Sequence, residues 1–131
     1  MSVRELLLKI QSWLRKEGIP TKLSGNTLLA EHAEDDMRIP IVVEGEIETG
    51  MLRVAVPTDL RVQGEGTLGK ILVDNFMRWG PKVCIDTEGF ITVVFDVPIG
   101  CVESLGIKWF SENIVKPVIA CFKDVHRRLS A

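Results

Sequence analysis

The stretch Gly64-Glu65-Gly66-Thr67-Leu68-Gly69-Lys70-Ile71 has the glycine spacing and the lysine of a phosphate-binding loop. Such a loop needs a buried strand running directly into it, backbone amides curled around the phosphates, and a hydroxyl after the lysine to hold magnesium. Ile71 stands where that hydroxyl belongs, and the alternating pattern ahead of the loop stops at Pro57, seven residues before Gly64. Pro57 to Gly66 therefore reads as a loop and Thr67 as the cap of a helix. Gly69 reads as a helical position where a small residue permits close packing.

The other chemistry-bearing residues are sparse. Cys84, Cys101 and Cys121 form no Cys-x-x-Cys pair, and His32 and His126 share no ligand spacing with each other or with a cysteine, so no structural zinc site is expected. Glu31, Glu34, Asp35 and Asp36 beside His32 offer oxygen donors to a divalent cation. They lack the ordered alternation and central glycine of a calcium loop, and the plainer reading is a solvated turn. A cysteine nucleophile needs a histidine base, and Cys121 falls on an apolar helical face, where it reads as core. No acid–base pair, glycine-serine elbow or cofactor fingerprint is present, so no catalytic residue, metal ligand or cofactor is assigned.

The elements that would position these residues follow from composition and periodicity. A chain of 131 residues with 46% hydrophobic and 26% charged residues has the make-up of one folded domain, taken as residues 1–131. Sixteen basic against eighteen acidic residues leave a net charge of −2, which supplies no field to hold a polyanion and argues against nucleic acid. No apolar run approaches the roughly eighteen residues of a membrane span. The N-terminal MSVRELLLKI lacks the pattern of a signal peptide, and with three unpaired cysteines the expected location is the cytoplasm.

Ser2-Val3-Arg4-Glu5 fits a capping box. Val3, Leu6, Leu7, Ile10 and Leu14 follow at helical spacing until Gly18 and Pro20. After a turn at Ser24-Gly25-Asn26 the period becomes two. Leu28, Ala30 and His32, then Met37, Ile39, Ile41 and Val43, then Leu52, Val54 and Val56 describe a three-stranded meander, with Pro40 at an edge or a bulge. A second helix carries Leu68, Ile71, Leu72, Asn75, Phe76 and Trp79 and stops at Gly80-Pro81. Strands at Lys82–Asp86 and Phe90–Val97 come next. A long helix from about Ser104 to Leu129 closes the chain, kinked at Pro117 or broken before it. The expected fold is α+β: an antiparallel five-stranded sheet with helices packed on one face, in the order α-β-β-β-α-β-β-α.

This order, carried by the whole pattern from Ser2 to Leu129 with the meander Leu28–Val56 and the strand Phe90–Val97, resembles the type III secretion chaperone-like fold. The resemblance implies a homodimer that binds extended segments of other proteins on apolar patches. The residues add an independent hint, because the second and last helices carry more apolar side chains than one sheet face requires. The expected function is a non-catalytic protein-binding module, a chaperone-like homodimer with a protein or peptide partner. Phe76, Trp79, Trp109, Phe110 and Phe122 are the candidate interface. The alternative is a small metal-dependent enzyme or factor using the acidic region at residues 31–36.

Overall fold

The computed structural model describes residues 2–130. Helix α1 (Val3–Lys16) starts at Ser2, whose hydroxyl oxygen accepts the Glu5 amide at 3.1 Å. It ends in a Schellman motif: Gly18, at φ 79°, donates to the Arg15 carbonyl, and Ile19 donates to that of Leu14. Six strands follow in one antiparallel sheet: β1 (Thr21–Ser24), β2 (Thr27–Glu34), β3 (Met37–Glu46), β4 (Met51–Arg61), β5 (Lys82–Ile85) and β6 (Phe90–Pro98). Their spatial order is β1-β2-β3-β4-β6-β5. Helix α2 (Glu65–Met77) interrupts the strands, and α3 (Ile99–Leu105), α4 (Ile107–Phe110) and α5 (Lys116–Leu129) complete the chain.

The sheet is therefore antiparallel as expected, with one more strand than the five read from periodicity. The extra strand is β1, which pairs with β2 across the Gly25-Asn26 turn. Four residues between Pro20 and that turn are too few for an alternation to show. Asp35 and Asp36 both have positive φ (50° and 62°), as a two-residue type I′ hairpin turn between β2 and β3 requires. The acidic run is thus the turn itself.

Cross-strand register puts Leu28, Val43, Val54 and Phe95 on one face, with Ala30, Ile41, Val56 and Val93 beside them. That face is the core. Helix α1 lies over β1, β2 and β3, and α5 over β4 and β6, so the sheet carries these two helices side by side. Gly45 admits α1, since a side chain there would collide with Val3.

Strands β3 and β4 pair only from Val42–Ala55 to Glu46–Met51. Below that they diverge, so Pro40, opposite Glu31 of β2, turns its nitrogen toward the side of β3 that β4 has left, where its missing donor costs nothing. Strand β4 continues through Pro57 to Arg61, past the expected stop, with an irregularity in its pairing to β6. The Thr58 hydroxyl bridges the gap, donating to the Ile91 carbonyl at 2.7 Å.

The last helix starts later than expected. Gly106, at φ 95°, separates α3 from a helix that runs from Ile107 to Leu129. Pro117 does not break it. One π-helical turn, Ser111–Val115, absorbs the proline, and the Lys116 amide reaches back to the Ser111 carbonyl.

Candidate functional site: an inside-out helix

The phosphate-loop pattern is spent on the start of α2. Gly64 is its N-cap, and Gly66, Thr67, Gly69 and Lys70 lie within the helix, so no glycine-rich loop remains to curl round a phosphate. Thr67 is therefore not the cap. The strand before the motif ends at Arg61 rather than Pro57, but that strand belongs to an antiparallel sheet. Gly69 does not serve close packing either, because a Cβ there meets nothing within 4 Å.

Charged neighbours engage the acidic segment near His32. Glu34 accepts from Lys123 at 2.6 Å and lies 3.2 Å from His32 Nε2, and Glu31 accepts from Arg38 at 3.2 Å. The hydrogen bond from Lys123 holds the Glu34 carboxyl below its ordinary range. His126 sits elsewhere, 3.4 Å from Asp59, in a cleft of about 440 Å³ where β3 and β4 diverge. Among the described residues no three His, Cys, Asp or Glu side chains gather as a metal site would need. Cys121 is buried against the sheet, and burial pushes its thiol up. Cys84 is exposed and Cys101 half-buried. Among the described residues no helix is long and apolar enough to cross a membrane.

The five nominated interface residues separate into two groups. Phe110 (1% exposed) and Phe122 (4%) are core, because α4 packs on α1 and α5 on the sheet, so both rings are covered within the chain rather than left for a partner. Trp109 is half-buried against the same core. Phe76 (87%) and Trp79 (94%) stand in solvent.

Their neighbours explain why they matter. Ile71, Asp74, Asn75 and Arg78 recur at helical spacing and form the inward side of the α2 segment, and Ile71 is the one buried residue of the helix. The rest of this side is held by polar contacts. Arg78 donates to Asp74 at 2.8 Å and to Asp124 on α5 at 3.2 Å, and Arg128 donates to Asp74 at 3.1 Å. Burial works to raise the Asp74 and Asp124 carboxyls, but the hydrogen bonds from Arg78 and Arg128 to Asp74, and from Arg78 and Arg127 to Asp124, outweigh it and hold both below their ordinary range. The outward side is apolar: Leu72 and Phe76, Val73 and Met77 are i, i+4 pairs, and Trp79 follows just past the helix, which ends at Met77 because Arg78 is already extended; all five are exposed. An ordinary surface helix shows the reverse arrangement.

Compared with protein-family models, with curated proteins and with solved structures, the chain has no match in any of the three.

Proposed function

We propose that the protein is a non-catalytic, homodimeric protein-binding module of the chaperone-like kind, and that the second copy packs on the outer face of α2. The observation that carries this reading is the inversion of α2, with its polar side turned to the body and Leu72, Val73, Phe76, Met77 and Trp79 turned out. Phe76 and Trp79 alone bring ~150–250 Å² each when covered. With the three aliphatic neighbours the patch approaches the ~800 Å² per partner of a standard interface. A typical monomer exposes a largest patch of only ~300–600 Å². A second copy is the occupant that a face of this size fits, since a twofold sets the same patch against itself.

Two exposed aromatics at the centre of such a patch act as hot spots, each worth ~2 kcal/mol or more when truncated. Sedimentation equilibrium at tens of micromolar is expected to show a dimer, and Phe76→Ser or Trp79→Ser to weaken it by about 30-fold. Both side chains lie outside the core, so the variants keep the wild-type far-ultraviolet spectrum. A wild-type chain that sediments as a monomer over that range overturns the dimer.

A further inference from the structure

We propose that Asn75 is a plug that closes the outer edge of β5 to strand addition, so that this edge fits an extended chain segment only when the plug is withdrawn. The inference rests on hydrogen bonds alone and adds to the dimer reading a statement of which association is refused.

In an antiparallel pair, alternate residues turn their peptide groups toward the neighbouring strand and the rest turn theirs away. Asp86 donates to the Phe90 carbonyl, which places the even positions of the β5 segment on the β6 side and leaves Val83 and Ile85 facing outward. Among the described residues β5 is the last strand on that side of the sheet. Such a row of outward amides and carbonyls is a template for another chain. Here the Asn75 carboxamide occupies it: the Val83 amide donates to Asn75 Oδ1 at 2.8 Å, and Asn75 Nδ2 donates to the Val83 carbonyl at 2.8 Å. One side-chain amide thus makes the two bonds that a paired strand residue would make.

The surroundings tighten the closure. Pro81, just before the strand, has no amide to offer. Lys82 Nζ donates to the Asn75 carbonyl at 3.0 Å and to that of Arg78, tying the end of α2 to the start of β5. Ile85 is the only outward position left, and among the described residues no side chain bonds its peptide groups. One position is too few to hold a strand. The segment that fits the unplugged edge is the β5 strand of a second copy, because a twofold sets the outward Val83 and Ile85 of one copy antiparallel to the same positions of the other and so joins two sheets.

Hydrogen exchange and sedimentation velocity on Asn75→Ala test this. The Val83 amide is expected to exchange roughly tenfold faster, while the Lys22 amide, paired with Leu29 in the opposite edge strand, keeps its wild-type rate, and species heavier than wild type grow with concentration. Asn75→Asp keeps the size and the acceptor but loses the donor, and should fall between the two. Repeating the exchange on Phe76→Ser/Asn75→Ala separates this inference from the dimer: the Val83 change persists there whether or not α2 faces pair. Unchanged Val83 exchange in Asn75→Ala with Lys22 protected, or an unchanged mass distribution, overturns the proposal. If Asn75→Ala loses Lys22 protection as well, Asn75→Leu decides, since it keeps the bulk but makes neither bond, and an unaltered Val83 rate there overturns it too.

Discussion

Thr58 is among the few buried polar side chains of the core, and its hydroxyl carries two bonds: it donates to the Ile91 carbonyl at 2.7 Å and accepts the Leu60 amide at 3.1 Å. Valine has the same shape and neither capacity. Thr58→Val is therefore expected to destabilise the fold by about 1–3 kcal/mol, the cost of buried groups left unpaired, and Thr58→Ser by clearly less. Urea unfolding of the three proteins checks the ranking. Gly45 presents the opposite problem, where what matters is the lack of a side chain. Gly45→Ala drives a methyl into Val3 on α1, and a loss of about 1–3 kcal/mol is expected from overpacking. Val3→Ala in the same chain should restore part of it, whereas additive losses would show that the two sites do not touch. Neither role is visible in sequence. Pro57 reads as the end of a strand because proline removes a donor, and only the fold brings the Thr58 hydroxyl to the carbonyl left over on β6. Gly45 reads as a turn glycine, whereas its neighbour Val3 lies forty-two positions away.

Helices α1 and α5 were legible because their apolar stripes are clean and their partner, the sheet, lies within the chain. Helix α2 is legible as a helix, but the way it is attached is not. Its glycines suggested a ligand loop or tight packing, and its aromatics looked no different from those of the last helix. Helical spacing shows that Phe76, Phe110 and Phe122 each sit on an apolar flank, but not which flank the rest of the chain will cover. That depends on long-range pairing, which placed α5 over β4 and β6 and left α2 at the β5 edge. Gly66 and Gly69 then stand in open space inside a helix, where glycine costs about 0.5–1 kcal/mol against alanine. Gly69→Ala is expected to raise stability by that amount, and thermal unfolding at fixed concentration measures it. A destabilised alanine variant would mean that something other than solvent covers this side of α2. The π turn before Pro117 belongs to the same scale. It lets one helix keep its apolar face on the sheet through a residue that cannot donate, which is why the periodicity runs unbroken across the proline.

Across the whole molecule the two long helices on the sheet are joined by apolar contact, whereas α2 is joined chiefly by charge, and this makes its attachment sensitive to acid. Asp74 and Asp124 tie Arg78 and Arg128 together, and both carboxyls titrate below their ordinary range despite the burial that opposes it. On the open face of the sheet, the hydrogen bonds from Arg53 hold Asp96 down in the same way. A carboxyl lowered by folding contributes stability that is fully present above its unfolded value, ~3.9 for aspartate, and is lost as pH falls through the folded value. Stability is therefore expected to stay level from neutral pH to about pH 5 and to decline below about pH 4. Because these groups are partly exposed, solvent and salt screen them, and the decline should be gradual. The α2 segment should loosen before the rest, since its other anchors are only Ile71, the Asn75 amide and the Lys82 ammonium on the last carbonyls of the segment. Hydrogen exchange at Val83 and along α2, followed against the core amides of β3 and β4, reads this order directly. Asp74→Asn/Asp124→Asn should lower stability at neutral pH and make the acid decline shallower, leaving the Asp96 share in place. An acid limb identical in that double variant would place the sensitivity elsewhere and remove the electrostatic account of how α2 is held.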